Sequence, residues 1–205
     1  MINTSFFDQI KGKTSNSHKH LEETYPFSTL MRSDEFDEQS YHQVLNVMAA
    51  FHQSINLFAT SQLKGELATL LDTTTTCNAL RLDINQLQQS FTPIICPTLD
   101  VTEDDTHSLL AYAYVWAGSS MGAQILIKWL QKNAPSLPTR YYQQMAAQSV
   151  NWPLVKALLS AQVEKPDVDS TSIIRCANTW FEAIIAHAQS YPAALAGDLR
   201  HVESL

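Results

Sequence analysis

Apolar residues recur along most of the chain at intervals of three and four, which is the spacing of one face of an α-helix. In the clearest case, six apolar side chains recur between Tyr41 and Phe58, after an acidic segment that favours a helix start. A first helix is predicted over residues 5–23, with Thr4 or Ser5 as its cap. Residues 67–71 are either a short continuation of the helix over residues 41–58 or a separate turn. Further predicted helices cover residues 78–87, 104–131, 141–148 and 153–162, and a last long one begins at Ser170 or Thr171.

Prolines and one run of threonines mark the predicted connections. Residues 91–97 contain two prolines and are predicted to be extended, because proline disfavours helix in the residue before it. The four threonines at residues 73–76 are predicted to form a loop. With helices throughout and no internal repeat, the pattern predicts an all-α fold, a single multi-helix bundle over residues 1–205.

Composition narrows the class of fold and partner. The chain has only five glycines among 205 residues, fewer than a turn-rich β-sandwich or barrel needs, and no glycine-rich phosphate loop. Thirteen basic against twenty acidic residues give a formal charge of −7, which argues against a nucleic-acid surface. Three scattered cysteines, Cys77, Cys96 and Cys176, favour a structural role in a reducing compartment over a disulfide framework. The N-terminal segment lacks the features of a secretion signal, so we expect a cytoplasmic protein.

One predicted helix carries no charge over 20 positions, residues 108–127, and contains Gly118 and Gly122 four residues apart. That length and spacing raise the question of a membrane span. Polar side chains such as Ser119 and Gln124 interrupt the apolar run on every side, so a central helix of a bundle is predicted instead, with no membrane partner. Each glycine in a helix interior costs about 1 kcal/mol relative to alanine. Either a neighbouring helix or a flat ligand must therefore come close to this backbone.

The first helix contains a candidate metal ligand. His18 and Glu22 are four residues apart, so the carboxylate can bind one imidazole nitrogen and leave the other for a metal. His20 points elsewhere, and Lys11 lies two turns before His18 on the same face. The alternative for His18 and Glu22 is an ordinary surface hydrogen bond. A metal held only by protein would need more ligands, whereas a metal carried in a macrocycle needs one.

These two segments resemble those of the heme oxygenase family, particularly its bacterial biliverdin-forming members. Residues 14–22, TSNSHKHLE, are similar to the family's T-x-x-x-H-x-x-L/V-E segment around the proximal ligand. Residues 114–124, YVWAGSSMGAQ, are similar to its Y-V-x-x-G-S-x-L-G segment in the distal helix. Weaker similarity extends over nearly all of the chain, through residues 41–58, residues 80–87 with Asp83, Trp152 and residues 177–181. The resemblance implies a heme oxygenase-like helical bundle.

The resemblance also implies roles for individual residues. His18 would bind heme iron with Glu22 as its neighbour, and Lys11 would lie near a propionate. In the distal helix, Gly118 and Gly122 would lie against heme and bound O₂. Ser119 and Gln124 would order water, and Ala123 and Phe181 would line the pocket. Heme would be both cofactor and substrate, opened with O₂ to biliverdin, CO and ferrous iron. Electrons would come from an external donor such as a ferredoxin or a reductase, because the chain has no flavin or nicotinamide motif.

Some positions depart from the family pattern. Ala117 stands where bacterial members often have glutamate, and Ala123 replaces a frequent glycine. A non-catalytic heme-binding or heme-sensing protein on the same fold is therefore a second hypothesis. A third is a thiaminase-like enzyme, which would need an activated cysteine with acidic partners. Lys156 and Arg175 are candidates for the second propionate. The remaining histidines show no ligand spacing and are predicted to be surface or capping residues: His42, His52, His107, His187 and His201.

Overall fold

A computed structural model describes residues 5–59, 61–87 and 105–190, and within these ranges the regular structure is helical and no strand occurs. Three 3-10 segments, Phe27–Thr29, Ser54–Phe58 and Ser149–Asn151, join or extend the α-helices. The all-α class predicted from the sequence is confirmed. The α-helices are α1 (Phe6–Glu23), α2 (Glu38–Gln53), α3 (Gln62–Leu70), α4 (Thr73–Leu87), α5 (Asp105–Asn133), α6 (Arg140–Gln148), α7 (Trp152–Val163) and α8 (Ser170–Ser190).

The helix starts follow local capping chemistry. The Ser5 hydroxyl accepts the Asp8 amide at 3.2 Å and caps α1, as the sequence predicts. Asp37 and Ser40 form a capping box at the start of α2. The helix predicted through Phe58 is α-helical only to Gln53 and then continues as a 3-10 segment.

One predicted connection is wrong. The threonines at residues 73–76 form the first turn of α4 instead of a loop. The Asp72 carboxylate accepts the Thr75 amide at 3.4 Å, and Thr73 and Thr76 are buried. Burial in the tertiary structure here outweighs the low helix propensity of threonine. The extended segment predicted at residues 91–97 lies outside the described residues.

The long helix α5, which contains the uncharged residues 108–127, lies at the centre of the bundle. It packs against α6, α7 and α8, while α1 packs on α8 and α2 packs on α4. Its residues Tyr112 and Trp116 are fully buried, and the indole N–H of Trp180 in α8 donates to the Ser108 carbonyl at 2.9 Å. None of the helices in the described part of the chain combines the length and hydropathy that a bilayer crossing requires.

A buried carboxylate ties α4 to α6. Asp83 is fully enclosed, and its oxygens accept the Arg140 guanidinium at 3.0 Å and the Tyr141 amide at 2.8 Å. Desolvation raises the pKa of Asp83 above its usual value, and these hydrogen bonds oppose that rise. The start of α6 is therefore fixed on α4 by one side chain.

Candidate functional site

The C-terminal half of α1 presents His18 and Glu22 to solvent. The two side chains are 56% and 67% exposed, and His18 Nδ1 lies 3.6 Å from Glu22 Oε1. This separation is longer than a hydrogen bond, so the pair is an electrostatic contact that a small rotation can close. The contact uses Nδ1, which leaves Nε2 of His18 for a ligand. The spacing read from the sequence is thus present in the fold.

The glycines of α5 face open space. Gly118 and Gly122 are both exposed, and a Cβ atom added at either would meet, apart from its adjoining residues and the backbone of its own helix, no atom of the described residues within 4 Å. Close packing by a helix in that part of the chain is therefore not the reason for these glycines. The other alternative, a flat ligand against the helix, fits the geometry.

Two large apolar side chains share that surface, and the sequence pattern did not identify them as site residues. Met121 is 44% exposed and Ile125 is 58% exposed. With Gly118 and Gly122 they occupy positions i, i+3, i+4 and i+7 of α5, which form one stripe of a helix. We call these four residues the glycine face. A stripe of exposed apolar side chains beside glycine backbone is typical of a surface that a ligand covers. The spacing was visible in the sequence, but the exposure was not.

A hydrogen bond between hydroxyls joins α1 to α5 near these residues. Thr14 Oγ1 lies 3.3 Å from Tyr114 OH, and the same Thr14 hydroxyl donates to the Ile10 carbonyl at 2.8 Å. Tyr114 is therefore the donor in the contact between the helices. His18 follows Thr14 by one helical turn, and Gly118 follows Tyr114 by one turn. Both candidate segments thus begin one turn beyond the same junction.

Helix α8 supports α1 beside His18. The Phe181 ring meets the His18 ring edge-on, with centroids 5.7 Å apart, and Phe181 is otherwise buried. Nearby, the Ser17 hydroxyl donates to Asn178 Oδ1 at 2.6 Å, and Asn178 Nδ2 donates to the Lys13 carbonyl at 3.4 Å. Phe181, predicted as a pocket wall, therefore lies against the candidate iron ligand.

The three other residues predicted in α5 make contacts of a different kind. Ala123 is buried in the core. The half-buried Ser119 donates its hydroxyl proton to the Trp116 carbonyl at 2.7 Å. The Gln124 amide donates to the hydroxyl of Ser149, which precedes α7. The structure does not bring these three side chains onto the glycine face.

One indole, that of Trp152, lies at the junction of α1, α5 and α7. The centroid of the Trp152 ring lies 6.2 Å from the centroid of the Phe7 ring and 6.3 Å from that of the Tyr114 ring. Lys156 Nζ lies 5.8 Å from the centre of the same indole, and the exposed Lys11 follows Phe7 by one turn of α1. These contacts link Lys156 to the region of Lys11. Arg175 lies on the exposed side of α8.

Two of the remaining histidines correct the sequence prediction. His42 and His52 are buried instead of lying at the surface, because α2 is enclosed on nearly all sides. Desolvation lowers the pKa of His52 to about 3. His107, predicted as a surface or capping residue, accepts the Asp169 amide at its Nε2 at 3.0 Å, just before α8 begins. His187 is half-buried, and His201 lies outside the described residues.

The two cysteines among the described residues are at least partly buried. Cys176 is buried, and burial raises the pKa of the Cys77 thiol, which disfavours the reactive thiolate. Cys96 lies outside the described residues. Across the described ranges, no three residues among histidine, cysteine, aspartate and glutamate cluster as ligands for a metal ion.

The candidate site therefore consists of one exposed imidazole on α1, an exposed glycine face on α5, and two lysines near their junction. These groups can hold a planar, largely apolar ligand that carries its own metal and has acidic substituents. Comparisons of the chain with protein-family models, with curated proteins and with solved structures find no match.

Proposed function

We propose that the protein is a heme oxygenase, which cleaves heme to biliverdin, CO and ferrous iron using O₂ and electrons from an external donor. The observation that carries the proposal is the Thr14–Tyr114 hydrogen bond. It brings together the two segments, far apart in sequence, that hold His18 and the glycine face. When bound, heme would supply both the iron that activates O₂ and the ring that is cleaved.

His18 is suited to be the single protein ligand of the iron. Nε2 would bind the metal, while Glu22 would accept a hydrogen bond from Nδ1 and fix the orientation of the ring. The edge-on contact with Phe181 limits rotation of the imidazole from the other side. An imidazole donates less electron density than a thiolate, so it does not by itself favour early cleavage of the O–O bond.

The glycine face fits the opposite side of a planar ring. Because no Cβ projects from Gly118 or Gly122, a bound ring can approach the backbone of α5. Met121 and Ile125 would lose exposed apolar surface to the ring, which favours binding by about 25 cal/mol for each Å² removed from water. The same surface would shield from water the part of the ring that it covers.

Lys11 and Lys156 would bind the two carboxylates of the ligand. The protein carries a formal charge of −7, so a dianionic ligand needs local positive charge. Trp152 contacts both helices that carry these lysines. Its ring packs against Phe7 of α1, and Lys156 of α7 lies over the same ring. Ser119 retains its oxygen lone pairs and can accept a hydrogen bond from water near the ring.

A non-catalytic heme-binding or heme-sensing protein is the second candidate. The hydrogen bonds of α5 favour this candidate. Ser119 donates to the Trp116 carbonyl and Gln124 donates to Ser149, so neither donor points to the glycine face. Ala117 and Ala123 are buried and apolar. In the enzyme, by contrast, turnover would depend on water as the local source of protons.

Turnover of bound hemin separates the two candidates. The hemin complex is reduced with ascorbate, or with a ferredoxin and its reductase, in air and in the presence of catalase to remove free peroxide. We expect the Soret band to decay while biliverdin absorption rises. A complex whose Soret band persists under both reductants would contradict the enzyme and leave heme binding intact.

A further inference from the structure

A buried histidine lies behind the glycine face. His52 of α2 has no exposed surface, and its ring centroid is 4.0 Å from that of Trp116, with the rings 69° apart. Trp116 precedes Gly118 by two residues, so the two positions point to opposite sides of α5. His52 therefore supports α5 from the side away from the candidate ligand.

Polar contacts hold His52 itself in place. Its Nε2 lies 2.8 Å from Tyr141 OH, and its main-chain oxygen accepts the Tyr112 hydroxyl at 3.2 Å. The amide of Tyr141 donates in turn to Asp83 at 2.8 Å. A continuous series of contacts thus runs from Asp83 through Tyr141 and His52 to Trp116, and it joins α4, α6, α2 and α5.

If this series of side chains served only to pack the core, its polar atoms would lower the free energy of unfolding without any benefit. Nδ1 of His52 and Nε1 of Trp116 are buried without a hydrogen-bond partner among the described residues, which an apolar ring would avoid. A hydrogen bond, unlike apolar contact, fixes the direction of a ring. The Tyr141 hydroxyl can therefore set the angle at which the His52 ring meets Trp116.

We propose that His52, oriented by Tyr141, is a positioning residue that sets the place of Trp116 and so the distance of the Gly118 and Gly122 backbone from a bound ring. The effect on the ring rests on the proposed heme function. The mechanical link between His52 and α5 does not, and it can be measured in the protein without heme.

Tyr141→Phe and Tyr142→Phe form a matched pair for that measurement. Both residues are buried and their rings are 4.9 Å apart, but it is the Tyr141 hydroxyl that contacts His52. Each variant loses one hydroxyl from the same place in the core. We expect amide hydrogen exchange in residues 112–122 to become about fivefold faster in Tyr141→Phe, as for the loss of one hydrogen bond, and to change less in Tyr142→Phe. Equal exchange in the two variants would overturn the proposal.

The hemin complexes test the consequence at the site. In the ferrous CO complex, the C–O stretching frequency reports on the surface facing the ligand, so we expect it to shift or split in Tyr141→Phe and His52→Phe. His52→Gln, which keeps a polar group near Nε2, should restore the wild-type frequency in part. Unchanged spectra in all three variants would refute the positioning role. If the wild-type protein fails to bind hemin but exchange changes as expected, the heme function fails and the link between His52 and α5 stands.

Discussion

Alanine at Gly118 should make the protein more stable and a poorer ligand binder. Gly118 lies inside α5, where glycine costs about 1 kcal/mol relative to alanine because it loses more backbone freedom on folding. Beyond its adjoining residues and the backbone of α5 itself, a new Cβ meets no atom of the described residues within 4 Å, so no steric cost offsets the gain. We therefore expect the free energy of unfolding to rise by about 1 kcal/mol for Gly118→Ala, and by about as much for Gly122→Ala.

Gly65 provides the matched control. It lies in α3 and is exposed, and an added Cβ would likewise meet, beyond its adjoining residues and its own helix backbone, no atom of the described residues within 4 Å. Gly65→Ala should give the same gain in stability without touching the candidate site. Urea unfolding followed by circular dichroism measures the stability of each variant.

Gly118→Ala and Gly65→Ala should differ in their effect on hemin binding. A methyl group at Gly118 occupies the space that the proposed ring needs, so we expect hemin affinity to fall by about tenfold, which corresponds to about 1.4 kcal/mol. Gly65→Ala should bind hemin as the wild type does. Two outcomes would refute the reasoning. If Gly118→Ala lowers stability, something packs against this glycine, and if hemin affinity is unchanged, the ring does not lie on the glycine face.

Three further predictions concern the core and the junction of helices. Burial lowers the pKa of His52 to about 3 in the folded protein, whereas the pKa is 6.5 in the unfolded chain. Lowering the pH from 7 to 5 therefore protonates His52 in the unfolded chain but not in the folded protein. This histidine alone should then lower the free energy of unfolding by about 2 kcal/mol, and His52→Gln should remove that part of the pH dependence in urea titrations at the two pH values. Asp83→Ala leaves the buried Tyr141 amide without its acceptor and removes one acceptor of Arg140, so it should cost about 2–4 kcal/mol, measured by urea unfolding against Asp167→Ala as an exposed control. Thr14→Val keeps the shape of the side chain but removes the hydroxyl that joins α1 to α5, so hemin affinity should fall while Ser15→Ala, at an exposed neighbour, leaves it unchanged.

Most of the fold was readable from the spacing of apolar residues, because helix faces in a bundle must be buried every three or four positions. The start of α4 was not, since threonine has low helix propensity and the burial of Thr76 depends on helices distant in sequence. The burial of His52 was hidden for a related reason. Helix α2 is enclosed on nearly all sides, so polar residues there do not mark a solvent face.

The candidate site divides along similar lines. The pairs His18 with Glu22 and Gly118 with Gly122 are local spacings on a helix, so the sequence alone reveals them. The partner of Gln124 is not local, because Ser149 comes from a segment 25 residues further along the chain. Whether a face is exposed is likewise a tertiary property, and for this reason Met121 and Ile125 emerged only in the fold.

The most direct test is the absorption spectrum of bound hemin in His18→Ala and His20→Ala. Both histidines are exposed on α1, two residues apart, and differ in the helix face they occupy. We expect His18→Ala to lose the spectrum of an imidazole-ligated heme, exogenous imidazole to restore it, and His20→Ala to match the wild type. An unchanged spectrum in His18→Ala, or its loss in His20→Ala, would contradict the assignment of His18 as the iron ligand.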